Sequence, residues 1–243
     1  MPSRDAVHGQ PSTAGATTTP VLKRQRNPRG QGARLRDEII AGAARLLERT
    51  GTEEAITMRA VAREVGIAAP SMAPHFSDRA EVIDAVVAQE LTRLHDALHA
   101  AVASRSDPVE QLFAGARAYV AYGNANPNRY RVIFERRFLA LWDRERRVMQ
   151  QTAPLMAKTF NLTVKTIQAC IDAGRSASTD AFGDAIRMWL ALHGLVALPQ
   201  TITTFPWPDL DELLITCVTR LVQLKKGPRR ARHRTSKNID SLQ

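Results

Sequence analysis

The part of this chain whose residue types and spacing most suggest a chemical role is the segment 57–76, where small and polar side chains follow a glycine. A hydroxyl such as that of Ser71 can bond a base or a phosphate, and a methyl such as that of Ala73 can meet thymine. Apolar residues at helical spacing precede Gly66, which tolerates the positive φ of a tight turn. The pattern predicts a helix-turn-helix whose second helix enters a DNA major groove; an ordinary surface helix-loop-helix is the alternative.

Several residues of this motif are expected to lie near the DNA. They are Thr57, Arg59, Ala69, Ser71, Met72, Ala73 and His75. Thr57 is predicted to cap the first helix through its oxygen while its proton stays available for a phosphate. Met72 has two interpretations, a base contact or docking onto Val61 and Val65, and docking is favoured. For Arg59 and His75, plain solvent exposure is the alternative.

Patterns for catalysis are scarce. The sequence has no Gly-x-Ser-x-Gly elbow, no His-Glu-x-x-His zinc pair and no phosphate-binding glycine loop. His95 and His99 have the i, i+4 spacing of two metal ligands on a helix, but no third ligand is evident nearby and zinc requires three or four. We expect two solvated histidines, no metal, no cofactor and no enzymatic activity.

The elements that must position these residues are all predicted to be helices, because no segment shows sustained period-two alternation. The motif should belong to a three-helix unit joined by a long helix, which Ser77 caps, to a larger helical body. The body is predicted to contain helices over about 107–124, 144–173, 180–198 and 209–226. The chain is therefore expected to be all-α, with a DNA-binding domain at 34–93 and a body at 94–226.

The net charge of +10 is concentrated at the two ends of the chain. Residues 1–36 carry seven Lys or Arg and one Asp, and so do residues 225–243. Residues 1–33 and 227–243 lack the large apolar groups of a core and are expected to be disordered basic arms. Such arms bind polyanions, and next to a helix-turn-helix nucleic acid is the expected partner rather than a membrane.

The N-terminal region is polar, and no apolar run approaches the roughly 18 residues that cross a bilayer. We therefore predict a cytoplasmic protein. Its two cysteines, Cys170 and Cys217, lie in apolar helical patterns and are expected to be reduced, unlinked thiols.

The N-terminal unit resembles the TetR family of bacterial transcriptional regulators. The residues that carry the resemblance are Ile39, Ala43, Ala44, Leu47, Gly51, Thr57, Val61, Ala62, Val65, Gly66, Ile67, Pro70, Ser71, His75, Phe76 and Arg79. In the body, Asn126-Pro-Asn-Arg-Tyr130 and Trp189-Leu-Ala-Leu-His-Gly194 resemble motifs of one TetR subgroup, the second being its Trp-x-x-x-His-Gly helix.

The resemblance implies a homodimer that binds a double-stranded DNA operator and holds a small lipophilic or aromatic effector in its body. Aromatic and methionine side chains on helical faces are the candidates for the effector pocket, with ordinary core packing as the alternative. They are Phe113, Tyr119, Tyr122, Phe134, Phe138, Met156 and Phe160. The candidates for dimerisation are Trp189, His193, Gly194, Leu214, Val218 and Leu221.

Two departures from the family pattern concern the DNA contacts. Ala73 stands where the family usually has a Tyr that touches a phosphate, and Pro74 should end the recognition helix early. Arg79 stands where the family usually has Lys at the start of the next helix, and it can still contact a phosphate. Basic residues of the arm, Arg34 among them, are expected to supply the missing contacts.

The resemblance thus implies a repressor that an apolar ligand releases from DNA. The alternative is a ligand-binding or interaction protein on the same scaffold whose operator recognition has weakened at residues 73–74.

Overall fold

The computed structural model describes residues 32–134 and 142–225, with side chains from residue 152 onward in the second range. Within these ranges the chain is all-α and has no β-strand, as the sequence predicts. The helices are α1 (Gly32–Thr50), α2 (Met58–Val65), α3 (Arg79–Ala103), α4 (Pro108–Ala125), α5 (Pro127–Phe134), α6 (Trp142–Asp172), α7 (Ala181–Thr201) and α8 (Leu210–Leu221). Two 3₁₀ turns, Glu53–Ala55 and Ala69–Met72, lie on either side of α2.

Side-chain caps start most of these helices where the sequence predicts them. Thr57 caps α2, and Asp107 caps α4 by accepting two backbone N–H groups at 2.9 and 3.0 Å. The cap of α3 lies one residue later than predicted: Asp78, not Ser77, accepts the Glu81 backbone N–H at 2.9 Å. Ser77 instead donates its own N–H and O–H to the Glu81 carboxylate, at 2.7 and 2.9 Å, so both residues stabilise the same first turn.

A first hydrophobic core joins α1, α2 and the beginning of α3. Its fully buried members include Ile39, Leu47, Ile56, Val61, Met72, Phe76 and Ile83. The chain can turn sharply into this core because Gly66 adopts a φ of +76°, in the left-handed region that favours glycine. The next amide, Ile67 N–H, donates to the Ala62 carbonyl at 2.9 Å, which closes the end of α2.

A second core fills the space between α3, α4, α6, α7 and α8. Its buried residues include Leu94, Leu98, Phe113, Tyr130, Ile167, Cys170, Met188 and Leu214. Helix α4 crosses α7 closely at Gly123, where a Cβ would stand 2.9 Å from one Val196 methyl and nearer still to the other. A larger residue at this position would force the two helices apart.

Helices α3 and α5 contribute buried residues to both cores. Residues 82–91 of α3 pack in the first core, while Leu94 and Leu98 of the same helix pack in the second. In α5, Val132 is buried in the first core and Tyr130 in the second. A displacement in the body therefore acts on the N-terminal unit through α3 and α5.

Helix α8 is shorter than predicted. It ends at Leu221 rather than near Lys226, because the chain turns at Gln223, whose φ is +49°. Leu224 then forms an isolated antiparallel bridge with Ser176, and the Ser176 hydroxyl donates to the Val222 carbonyl at 2.6 Å. These bonds to the loop after α6 take the place of further helical turns.

Both cysteines are free thiols. Burial raises the pKa of Cys170 to about 11, so this thiol stays protonated and unreactive at neutral pH. Among the described residues one helix, α7, is long and apolar enough to cross a membrane by length and composition alone. Because α7 contributes Met188, Leu192 and Val196 to the second core, this single helix does not indicate a membrane protein.

The cap of α4 gives a first prediction. The Glu110 backbone N–H and the Arg175 guanidinium, which lies 2.8 Å from Asp107 Oδ2, hold the pKa of the Asp107 carboxyl below its usual value. Replacing Asp107 by Ala removes the cap and should lower the free energy of unfolding by about 1 kcal/mol at pH 7. Urea denaturation measures this loss.

The matched control is Asp107→Asn, which keeps a good capping group and loses only the charge facing Arg175. A carboxyl with a lowered folded-state pKa stabilises above its unfolded value of about 4 and loses that effect as the pH falls further. The wild type should therefore exceed Asp107→Asn in stability at pH 7 and approach it towards pH 3. Equal stability of Asp107→Ala and wild type at pH 7 would contradict the assignment.

Candidate functional site

The segment that should enter the DNA groove is a single 3₁₀ turn, Ala69–Met72, and not the second α-helix of the sequence prediction. Pro74 explains the difference. It lacks the N–H of a helical hydrogen bond, and its ring would clash with the Pro70 carbonyl in an α-helix. Pro70 itself stands in the first turn of the segment, where its missing N–H needs no helical partner. The chain instead continues in turns, in which the His75 and Phe76 amides donate to the Met72 carbonyl at 2.9 and 3.0 Å.

Four of the predicted DNA-binding residues are exposed on this surface and two are half-buried. The exposed ones are Thr57, Arg59, Ser71 and Ala73, and the half-buried ones are Ala69 and His75. Thr57 accepts the Ala60 backbone N–H at 3.1 Å, which leaves its own proton available. Met72 is fully buried in the first core, so it docks the turn and does not face a groove.

Arg79 is engaged inside the protein, contrary to its expected role at a phosphate. Its Nε donates to the Ile56 carbonyl at 2.7 Å and its Nη2 donates to the Glu53 carbonyl. The guanidinium thereby holds the 3₁₀ turn before α2 against the start of α3. The sequence does not reveal this, because both acceptors are main-chain atoms more than twenty residues away.

Two basic residues at the start of α1 contact other side chains of the protein. Arg34 is well exposed and pairs with Glu38 one turn later at 3.2 Å, an ion pair that contributes little in water. Arg36 lies over the Phe76 ring at 4.8 Å, next to the recognition turn. The remaining predicted arm residues, 1–31, and the tail from 226 lie outside the described residues.

A cavity of about 260 Å³ opens between α3, α4, α6 and α7. Its walls are mainly aliphatic, with Leu91, Leu94, Leu98 and Val102 forming one side along α3. This volume is near the lower end of the range for small-molecule sites, roughly 300–1,000 Å³. Apolar walls and this size suit one small lipophilic molecule.

The structure brings together four of the predicted effector residues and excludes two. Tyr119, Phe134, Met156 and Phe160 line the cavity. Phe113 packs in the second core instead, with the Arg117 guanidinium 5.8 Å from its ring. Tyr122 points to Glu90, and Phe138 lies outside the described residues.

The leucines of α3 and Trp189 were not predicted to line the cavity. Helical spacing identifies them as apolar-face residues, but no sequence signal separates the wall of a cavity from a filled core.

One end of the cavity carries a connected polar cluster, defined by Tyr119, Tyr130, Trp189 and His193. Trp189 Nε1 donates to the Tyr119 hydroxyl at 3.2 Å, and the two tyrosine hydroxyls lie 2.8 Å apart. The Tyr130 hydroxyl lies 2.6 Å from His193 Nδ1, with the two rings stacked. Burial raises the pKa of Tyr119, so its phenol stays neutral.

Glu90 of α3 is a fully buried carboxylate at the centre of a second polar network. Arg93 Nη1 donates to it at 2.7 Å, the Tyr122 hydroxyl donates at 2.9 Å, and Arg129 Nη1 lies at 3.8 Å. Burial and the Glu90 charge both raise the pKa of Tyr122, which therefore remains a hydrogen-bond donor. Arg129 also pairs with Glu48 of α1 at 2.9 Å, so the polar network extends to the N-terminal unit.

Several predicted dimerisation residues face the interior of this chain. Leu214 and Val218 are buried in the second core, because α8 packs this face against α4 and α7. His193 contacts Tyr130 and Phe134, and a Cβ on Gly194 would meet only Leu198 within 4 Å. Leu221 is half-buried.

An exposed apolar stripe lies on the first half of α7. It comprises Phe182, Ile186, Trp189 and Leu190, which share one helical face and are 37–63% exposed. Further exposed apolar residues, Leu198, Ile202 and Phe205, lie at the end of α7 and in the loop after it.

The histidine pair on α3 differs from the predicted solvated pair. His95 is buried, and its Nδ1 lies 3.3 Å from the Thr159 hydroxyl, while His99 is exposed. Burial, followed by the charge of Lys158, lowers the pKa of His95. Among the described residues, no three His, Cys, Asp or Glu side chains are grouped as a metal would need.

A helix-turn-helix unit that shares a helix with a larger helical body is the architecture of one class of DNA-binding regulator. Residues 39–86 match the family model described as bacterial regulatory proteins, tetR family. Residues 112–221 match the model of the tetracyclin repressor-like C-terminal domain. The chain belongs to the TetR family of DNA-binding transcriptional regulators.

Solved structures show the same fold over most of the chain. A Rhodococcus sp. RHA1 protein of unknown function is 25% identical, with a TM-score of 0.69 over 83% of this chain and 100% of that one. A tetR-family regulatory protein from Rhodococcus RHA1 is 17% identical, with a TM-score of 0.58 over 80% and 98%. The Bacillus subtilis regulator FadR, in complex with stearoyl-CoA, is 13% identical, with a TM-score of 0.62 over 76% and 97%.

Proposed function

We propose that this TetR-family protein is a homodimeric repressor whose operator binding is relieved by a small lipophilic or aromatic molecule. The observation that carries the proposal is that the apolar cavity is built on α3, the helix that also forms the N-terminal core. A ligand that packs against Leu91, Leu94 and Leu98 changes the position of α3, and with it the DNA-binding surface. The FadR structure with stearoyl-CoA shows that this fold accepts a lipophilic ligand in another protein.

Operator contacts are assigned to the exposed residues around the recognition turn. Ser71 and Ala73 face the bases, whereas Thr57, Arg59 and His75 lie where phosphates pass. Since Arg79 is occupied by main-chain carbonyls, the phosphate contact expected of it passes to Arg34 and the basic arm. A regulator of this kind acts on chromosomal DNA, so we place it in the cytoplasm with no membrane partner.

Dimerisation is assigned to the exposed face of α7. An apolar stripe with Phe182 58% and Leu190 63% exposed loses water on association, and this burial supplies the driving force. Gly194 and Leu221 remain candidates for the border of the dimer interface. The helix includes the Trp-x-x-x-His-Gly motif, and we place the chain in the subgroup that carries it.

The second candidate is a ligand-binding or interaction protein on the same scaffold. It is favoured by the short recognition turn between Pro70 and Pro74, which presents fewer base-reading side chains than an α-helix would. DNA binding separates the two functions.

The first test measures binding of the full chain to DNA flanking its own coding region, at moderate salt, by fluorescence anisotropy. We expect a specific complex, and Ser71→Asp should weaken it about tenfold or more, because it places a negative charge against the DNA. Asn161→Asp, on an exposed part of α6, adds the same charge away from the recognition turn and should have little effect. Dimers that show no specific binding would instead support the second candidate.

The basic arm makes a separate prediction. Deleting residues 1–33 removes most of the basic residues of the first arm. The slope of log K against log salt should therefore become shallower by about 0.9 for each phosphate that the arm neutralises. Deleting residues 227–243 is the comparison, since it removes a similar charge from the other end of the chain. An unchanged slope after the first deletion would exclude an arm contact.

The assignment of the dimer interface to α7 can be tested by measuring the mass of the particle in solution. Leu190→Glu places a charge in the centre of the apolar stripe and should convert a particle of twice the 26.9 kDa chain mass into a monomer, as measured by light scattering. Ala100→Glu, exposed on α3 away from this face, should remain a dimer. A Leu190→Glu protein that stays dimeric would mean that another surface pairs the chains.

A further inference from the structure

The cavity has a long axis and two different ends. Its α3 wall runs from Leu91 to Val102, eleven residues or about 16 Å at a helical rise of 1.5 Å per residue. Helix α4 follows α3 as a hairpin, so that Gly115 stands beside Val102 and Tyr122 beside Glu90. Tyr119 consequently lies at the end nearer the N-terminal core, and Gln111 at the opposite end.

No described residue that lines the cavity has a charged side chain. None of the lining side chains is an acid, an amine, a guanidinium or an imidazole. Three threonines of α6 line the cavity. The hydroxyl protons of Thr159 and Thr166 are already used within the helix, since both donate to the backbone carbonyl four residues earlier. An ionised ligand group placed here would lose its hydration without gaining a counter-charge.

The polar cluster at the Tyr119 end has adjustable hydrogen bonding. With Trp189 donating to Tyr119, the Tyr119 proton serves either Tyr130 or another acceptor. When His193 carries its proton on Nδ1 and donates it to Tyr130, the Tyr130 hydroxyl can donate to Tyr119, and the Tyr119 proton is then available to an acceptor in the cavity. The 3.2 Å bond from Trp189 is long, so its N–H can also be shared with a ligand oxygen.

We propose that Tyr119 and Trp189 form the head-group site of this cavity and select elongated apolar ligands with one uncharged oxygen acceptor at the end, such as an ester, ketone or alcohol. The inference rests on the proposed ligand-binding function and adds the class of ligand. The aliphatic wall along α3 accommodates the chain, and the neutral polar cluster receives the oxygen. Carboxylates and amines are disfavoured because nothing described in the wall compensates their charge.

A matched ligand series tests this selectivity on the full-length protein by calorimetry. Methyl octanoate, 1-octanol, octanoate and octylammonium share a chain and differ in the head group. We expect the ester and the alcohol to bind, and the two ions to bind at least about tenfold more weakly, because a buried unpaired charge is costly. An ion that binds as tightly as the ester would overturn the proposal.

Variants separate the head-group site from general hydrophobic binding. Tyr119→Phe keeps the ring and removes the hydroxyl, so affinity for the ester and the alcohol should fall roughly two- to tenfold. Octane, which has no polar atom, should bind the variant as it binds the wild type. Tyr122→Phe is the matched control: it removes a hydroxyl from the same helix outside the cavity and should leave the ester-to-octane ratio unchanged.

The outcomes distinguish this inference from the function on which it rests. Equal binding of all head groups, or an unchanged ester-to-octane ratio in Tyr119→Phe with native circular dichroism, would overturn the head-group site while ligand binding itself stands. Trp189→Phe, which removes the second donor, supplies an independent check should Tyr119→Phe fail to fold. Failure of every member of the series to bind would contradict both the head-group site and the proposed ligand-binding function.

Discussion

The described structure depends on helix α3 being part of two cores at once. The helix is 25 residues long, and no residue between its two sets of buried side chains interrupts it. Because a packed helix moves as a rigid element, a shift at Leu94 and Leu98 is also felt at Val82 and Ile83 in the N-terminal core. The cavity is therefore built against the helix through which a displacement would reach the N-terminal core.

Buried polar contacts stabilise the junction between the two cores. Glu90 lies between them, and its carboxylate remains compatible with complete burial because Arg93, Tyr122 and Arg129 surround it. Helix α5 adds a second connection, since Asn128 Nδ2 donates to the Glu48 carbonyl of α1 at 2.9 Å. Two residues further along α5, Tyr130 belongs to the polar cluster at the end of the cavity. A ligand oxygen at Tyr119 would thus be connected to α1 through Tyr119, Tyr130, the backbone of α5 and Asn128.

The sequence predicted those features that depend on neighbouring residues in the chain. Caps such as Thr57 and Asp107, and the left-handed turn at Gly66, are local choices and were found where expected, and the all-α class followed from helical periodicity. The early end of the recognition segment at Pro74 was also predicted, but the reduction to one 3₁₀ turn was not.

The remaining differences arise from contacts between distant parts of the chain. Arg79 resembles a phosphate-binding residue until the folded chain brings two main-chain carbonyls to its guanidinium. Leu214 and Val218 form an apolar face in the sequence, and only the packing of α8 decides that this face is internal. The same holds for the cavity, because aromatic spacing identified Tyr119 and Phe134 but not the leucines that line its α3 side.

The central claim is that the cavity and the DNA-binding surface are thermodynamically coupled, and linkage makes that claim directly measurable. The measurement is the affinity of the neutral fluorescent probe N-phenyl-1-naphthylamine for the full-length protein, with and without saturating DNA from the region flanking its coding sequence. The account predicts that DNA weakens probe binding by the same factor by which the probe weakens DNA binding, typically about 5- to 150-fold for coupled sites. The cavity-filling substitution Ala116→Trp should abolish probe binding, which shows that the probe occupies the cavity. If it does so and the probe nevertheless binds with the same affinity in the presence and absence of DNA, the coupling is contradicted.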